Sequence, residues 1–483
     1  MLKKQGSGCF LQLLLVCVIC LLIVYLLGGR HQSLEPWHTE ELSAEYRADD
    51  RDKIKTFNDY KHLEDRLFEQ LSAQVYSRTP TGKGYELVRY SAGSAADPRY
   101  LQPDWNRSFE LSAEKPVGGV LLLHGMSDSP YSLRALGEAF NQRSYWVIGL
   151  RLPGHGTAPS GLTTSSWEDM AAAAELAVAH LSSQVGEKPI HIVGYSTGAP
   201  LALHYTLNAL EEKAAPLPRS LILVSPAIGI HPLAWLAKIK NWLSIVPGLE
   251  HFAWLSIEPE FDPYKYNSFA ANAGAQVHRL TRSVAQRISD WSKQGRLDSF
   301  PPILVFKSTV DATVSTAAVV DRLLKPLADH GHELVLFDIN RFAAKSSLLV
   351  SDPGPVTARL MEDSTLPFGV TLIANKNPGT LEIIAQHKAP ESNGISEMKP
   401  LGLVWPPGVL SLSHVALPFP PDDPLYGQRP PGDDSVLFLG QMALQGERGL
   451  LKISSDWLLR LRYNPFYEFL EKRALDWLND HNN

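Results

Sequence analysis

Short apolar runs alternate along this chain with longer segments whose apolar residues recur at helical spacing. Gly118–Leu123, Tyr145–Leu150, the run Ile190, Ile192, Val193, residues 220–225, residues 302–306 and Glu333–Phe337 read as buried strands. Continuous apolar residues bounded by turn formers suit a strand covered on both faces. Between these runs, helical periods pass through Leu133, Leu136 and Phe140 after Ser129-Pro130, through residues 167–181, and through Val319, Leu323 and Leu327. Strand and helix in alternation predict a mostly parallel sheet covered by helices on both faces, with reactive residues on loops at the C-terminal strand ends.

Elsewhere the pattern is less regular. Residues 85–90 and Phe109–Leu111 read as β-rich material opening the body, and residues 456–478 as an amphipathic helix closing it. The stretch 226–300 is too long for an ordinary crossover and carries Trp235, Leu236, Trp242, Leu243, Phe252, Trp254 and Leu255. It reads as a helical cap, whose aromatic residues either line a lipophilic pocket or simply pack the cap onto the body. Residues 340–407 read as a further insertion or an edge extension, with strand-like runs at 370–374, 381–385 and 402–405.

The N-terminus differs from all of this. After Lys3 and Lys4, residues 9–27 are apolar except for Gln12, about 19 residues, enough to span a bilayer as a helix. We read residues 1–31 as an uncleaved single-pass anchor, with a cleaved signal peptide as the alternative, and the lysines place the body outside the cytoplasm, in the periplasm if the source is bacterial. Residues 32–84 turn polar and then show helical spacing through Leu63, Leu67, Phe68 and Leu71, the pattern of a juxtamembrane linker feeding a helix. The remainder, 85–483, is expected to be one catalytic domain.

Composition narrows the chemistry. The formal charge of −6 gives no reason to expect nucleic acid as a partner. Cys9, Cys17 and Cys20 are the three cysteines, all in the apolar N-terminal run, so the body has no thiol for disulfides, metal or nucleophilic work. No metal and no organic cofactor is expected.

The candidate chemistry centres on Gly194-Tyr195-Ser196-Thr197-Gly198, between an apolar strand and an Ala/Leu-rich helix. A serine hydroxyl is a weak nucleophile and needs exposure at a tight turn, where a histidine can take its proton. His414, in Ser-x-Ser-His after an apolar run, is the candidate base; His330, His332, His387 and His481 are the other late histidines. Asp311, after one strand and before a helix, is the candidate orienting acid, with helix capping as its ordinary alternative and Asp338 as the other carrier. The backbone amides of Thr197 and Met126 are candidates for an oxyanion hole, with His124 as an organiser of its loop.

Together, Leu123-His124-Gly125-Met126, Leu152-Pro153-Gly154-His155-Gly156-Thr157, the Ser196 turn, Asp311 and Ser413-His414 resemble the branch of the α/β-hydrolase superfamily that holds monoacylglycerol lipases and small carboxylesterases. The resemblance covers roughly residues 118–314 and resumes at His414. It implies an α/β-hydrolase fold and carboxylic-ester hydrolysis through an acyl-enzyme, with a small-molecule or lipid ester as substrate. The long stretch between Asp311 and His414 departs from that pattern. A catalytically silent scaffold with the same fold, and an acyltransferase or peptidase using the same residues, are the alternative readings.

Overall fold

The computed structural model describes residues 33–212, 215–229, 250–327, 331–344, 349–429, 437–440 and 460–482. Among the described residues there are twelve strands: β1 (Phe109–Leu111), β2 (Gly118–Leu123), β3 (Tyr145–Leu150), β4 (Ile190–Tyr195), β5 (Ser220–Val224), β6 (Trp254–Ser256), β7 (Phe269–Ala270), β8 (Ile303–Ser308), β9 (Glu333–Phe337), β10 (Gly369–Asn375), β11 (Glu382–Lys388) and β12 (Glu397–Val404). The main helices are α1 (Phe57–Gln74), α2 (Arg134–Asn141), α3 (Trp167–Val185), α4 (Gly198–Glu211), α5 (Ala271–Lys293), α6 (Gly354–Glu362) and α7 (Tyr467–Asp480).

Ten strands form one sheet in the order β1-β3-β2-β4-β5-β8-β9-β10-β11-β12. From β3 to β10 every neighbouring pair is parallel, and only β1, β11 and β12 run antiparallel to their neighbours. Side chains alternate across a strand, so the apolar run of β2 serves two cores at once. Leu121 and Leu123 pack with α1, α3, α4 and α5 on one face, while Val120 and Leu122 pack with α2 and α7 on the other. Each such fully buried aliphatic side chain contributes about 1.5–3 kcal/mol.

Local signals set the helix ends. The Ser166 side chain accepts from the Asp169 N–H and the Asp169 side chain accepts from the Ser166 N–H, a capping box that starts α3. Gly186, at φ +64°, ends it in the left-handed region where glycine is cheapest.

Four expectations change. Residues 85–90 form successive turns, with N–H bonds from Tyr85 to Gly82 O and from Val88 to Tyr85 O, and Gly82 and Gly84 both have positive φ. The stretch 32–84 is no bare linker: over its described part Trp37, Leu42, Tyr46, Phe57 and Tyr60 are buried, and Trp37 stacks on Tyr90 with ring centroids 5.2 Å apart. Its charges misled because two of them, Glu45 and Glu64, are themselves buried. Within the predicted cap, Trp235, Leu236, Trp242 and Leu243 lie outside the described residues. Residues 250–270 carry the small β6–β7 pair, but α5 buries Val277, Leu280, Val284 and Ile288 in the main core and is a crossover helix of the body.

Of the two readings of 340–407, the edge extension is the one found: α6 leads to β10, parallel to β9, and β11 and β12 extend that edge. The closing helix is shorter than predicted, beginning at Tyr467. The predicted anchor at residues 9–27 lies outside the described residues. Among the described residues no helix is long and apolar enough to cross a membrane.

Candidate active site

Ser196 sits between the end of β4 and the start of α4 with φ +51°, a left-handed conformation that costs a non-glycine residue about 1–3 kcal/mol. The neighbourhood holds it there. Its N–H donates to Val224 O at 2.9 Å, and its carbonyl accepts from Ala227 N at 3.0 Å. The flanking glycines are steric requirements: a Cβ on Gly194 would lie 2.6 Å from the Ala199 Cα, and one on Gly198 would lie 1.9 Å from the Leu123 carbonyl oxygen.

His414 lies 218 residues from Ser196 in sequence, with its Nε2 3.0 Å from the Ser196 Oγ. Its Nδ1 is 2.9 Å from Asp311 Oδ2, across a sequence separation of 103 residues. The residues leading to His414 are docked over the C-terminal ends of β8 and β9. Asn340 donates to Val409 O at 2.9 Å through Nδ2 and to Leu410 O at 2.8 Å through its N–H, and the Ser308 hydroxyl donates to Leu412 O at 2.9 Å.

Asp311 is held from every side. Its Oδ1 accepts the N–H groups of Thr313 at 2.8 Å and Val314 at 3.0 Å, and its Oδ2 faces both His414 and the Lys307 Nζ at 3.1 Å. Burial alone would raise its pKa. The hydrogen bond and charge of His414 and the charge of Lys307 reverse that, holding the carboxyl well below the usual carboxylate range. Burial lowers the Lys307 ammonium pKa, opposed by Asp311. Capping is not the role of Asp311, because Ser315 caps the short helix Thr316–Val319 by accepting from Ala318 N. Asp338 turns instead to Arg341, with both carboxylate oxygens bonded, at 2.9 and 3.0 Å.

The other histidines are accounted for by local structure. His332 Nδ1 accepts from Ile303 N, His387 Nδ1 meets the Thr371 hydroxyl, and His481 bonds the Trp477 carbonyl on α7. His330 lies outside the described residues.

Around Ser196, the backbone N–H groups of Thr197 and Met126 have no hydrogen-bond acceptor among the described residues. Thr197 also stands at the N-terminal end of α4, where the helix dipole favours negative charge. The tautomer of His124 follows from its partners. The Leu152 N–H donates to Nε2 at 3.1 Å, so the proton is on Nδ1, which donates to Gly125 O at 2.8 Å. Burial first, then the nearby His155 and Arg151, pushes the His124 pKa well down, so the ring is neutral.

A hydroxyl beside an imidazole backed by a carboxylate, with free amide donors nearby, can pass a proton and stabilise an oxyanion. Sequence reasoning missed Lys307, although a lysine inside the apolar run of β8 was a visible signal. It also missed the Asp128–Lys265 ion pair at 2.6 Å, which sits beside Gly125, where a Cβ would meet Asp128 Oδ2 at 2.7 Å.

Residues 114–339 match a family model described as serine aminopeptidase, S33. That span includes Ser196 and Asp311 and stops short of His414. A thermostable monoacylglycerol lipase from Bacillus sp. (strain H-257) is 32% identical over 116 residues, which is 24% of this chain and 41% of that protein. The chain thus spans less than half the length of the curated relative it matches. Among solved structures, one from a study of the metagenome-derived lipolytic enzymes LipS and LipT is 20% identical, with a TM-score of 0.38 over 48% of this chain and 87% of that one. A monoacylglycerol lipase from Paleococcus ferrophilus is 19% identical, with a TM-score of 0.36 over 48% and 88%.

Proposed function

We propose that this chain, which has the α/β-hydrolase fold and resembles the monoacylglycerol lipase and esterase branch, is a membrane-anchored serine hydrolase of carboxylic, lipid-like acyl esters. The observation that carries the reading is the hydrogen-bonded line from the Ser196 Oγ through the His414 ring to Asp311, at 3.0 and 2.9 Å, from a serine in left-handed backbone. The Ser196 oxygen attacks the ester carbonyl while His414 Nε2 takes the hydroxyl proton. The amides of Met126 and Thr197 hold the resulting oxyanion. His414 returns the proton to the leaving alcohol, and a water, deprotonated in turn by the same nitrogen, releases the acid and restores Ser196. Asp311 holds the ring in place throughout and stabilises the imidazolium whenever it forms.

The experiment is exposure of the full chain to a fluorophosphonate probe, then turnover of p-nitrophenyl esters of graded acyl length. Labelling abolished by Ser196→Ala, with turnover of the longer esters, is the expected result. Well-folded protein that takes no label would instead indicate a silent scaffold.

The family model's description supports a second reading, a peptidase using the same residues, so aminoacyl p-nitroanilides belong in the same assay. The anchor at residues 9–27 and the extracytoplasmic placement of the body rest on sequence. Full chain retained in membranes after alkaline carbonate washing, with the body digested by protease added to intact spheroplasts, is the outcome this placement requires.

A further inference from the structure

We infer that Glu45, supported by Glu64, is a positioning residue for the active site: the N-terminal arm sets the direction of the Met126 N–H through a relay of buried hydrogen bonds. The inference rests on the ester-hydrolase reading, in which that N–H holds the oxyanion.

The relay starts at three buried charges. Arg151, Glu45 and Glu64 are 1%, 7% and 2% exposed. The guanidinium meets Glu45 as a two-pronged fork, Nη2 to Oε1 at 3.0 Å and Nη1 to Oε2 at 3.1 Å, while its Nε donates to Glu64 Oε1 at 2.8 Å. Bidentate geometry fixes a direction as well as a distance. Nη1 also donates to His155 O at 3.1 Å, and Glu45 Oε2 accepts the Gly154 N–H at 2.8 Å. Arm residues therefore grip the loop that follows β3 at both its start and its middle. Tyr60, on α1, adds a third hold by donating its hydroxyl to Arg151 O at 2.7 Å.

From that loop the path is short. The Leu152 N–H fixes His124 through Nε2, and His124 Nδ1–H fixes the Gly125 carbonyl. The Gly125 carbonyl and the Met126 N–H belong to one planar trans peptide, so holding the oxygen aims the N–H in the opposite direction. His124 and His155 brace each other edge to face, with ring centroids 5.0 Å apart. Two carboxylates from a segment that reads as solvated linker thus end their influence beside Ser196.

A purely structural role would lower stability and leave the chemistry of folded molecules alone. Glu333, on β9, provides the matched control. It is 7% exposed, is paired with Arg473 of α7 and lies outside the relay. In the full chain, Glu45→Gln and Glu333→Gln are compared for thermal midpoint, for kcat and KM on a p-nitrophenyl ester, and for inhibition by a boronic acid transition-state analogue. Removing an oxyanion donor outright costs about 10²–10³ in kcat, so a misaimed one is expected to cost about tenfold or somewhat more. KM should stay within about twofold, the boronate should weaken in step with kcat, and Glu333→Gln should keep wild-type kcat.

Folded Glu45→Gln with wild-type kcat and boronate affinity overturns the inference, as does an equal loss of kcat in Glu333→Gln. Should Glu45→Gln not fold, Tyr60→Phe, which deletes one hydrogen bond to the same loop, must lower kcat by a few-fold, and an unchanged kcat there is equally fatal. Wild-type protein that turns over no ester would instead count against the hydrolase reading itself.

Discussion

Two buried ionic clusters, one in contact with the Ser196 base and one linked to the loop beside it through His124, are built differently. In one, Lys307, Asp311 and His414 share a single carboxylate, whose remaining lone pairs are taken by backbone amides. In the other, Arg151 is shared by two carboxylates from the N-terminal arm. The first surrounds an acid with donors and drives its pKa down; in the second, burial dominates and the Glu64 pKa goes up despite Arg151 and Ser108. In the proposed reaction, the first cluster is the one that meets the proton taken up from Ser196. The other keeps a fixed charge in place and holds loops together.

The largest expected effect separates these roles. Asp311→Asn should lower kcat by on the order of 10⁴, because the imidazole loses its tautomeric anchor, and should also lower stability, because Lys307 is left buried without its carboxylate. Esterase kinetics beside a circular dichroism melt check both halves. Arg151→Ala should act mainly on stability, destabilising the fold by about 3–5 kcal/mol through two carboxylates left buried and unpaired. Urea denaturation measures it, and a loss below about 1 kcal/mol would mean that water already reaches the cluster.

Acidity sharpens the contrast. The Asp311 pKa is depressed in the fold, so its contribution to stability is present above the unfolded value of about 3.9 and disappears as pH falls below it. The Glu64 pKa is raised, so its contribution runs the other way: full below about 4.3, and lost as pH climbs towards the folded value. Thermal midpoints across this range should lose their acid fall in Asp311→Asn and their decline above about pH 4 in Glu64→Gln. The same pH profile in wild type and Glu64→Gln would remove that half of the comparison. The smallest effect belongs to Asp338→Asn, whose partner Arg341 is partly exposed: activity within about twofold, and stability within about 1 kcal/mol.

The fold was legible where side chains serve two cores at once, because an uninterrupted apolar run such as that of β2 suits a strand covered on both faces and little else. Ser196 was conspicuous for a related reason: two glycines where no Cβ fits leave a pattern in the sequence itself. The arm was not legible. Glu45 and Glu64 stand among other charges, and their burial depends on an arginine 106 and 87 residues further along the chain. The stretch between Asp311 and His414 reads as added material because its strands are sheet extensions, and burial on the exposed edge strand β12 is too weak to mark its boundaries. The small β6–β7 pair escaped notice for want of length.

The position of β10, β11 and β12 between the acid and the base has a consequence for how the molecule is made. A growing polypeptide presents Ser196 and Asp311 first, and His414 follows only after 103 further residues. In the proposed reaction, the hydroxyl gains its base only once synthesis has passed the last strand of the sheet, β12.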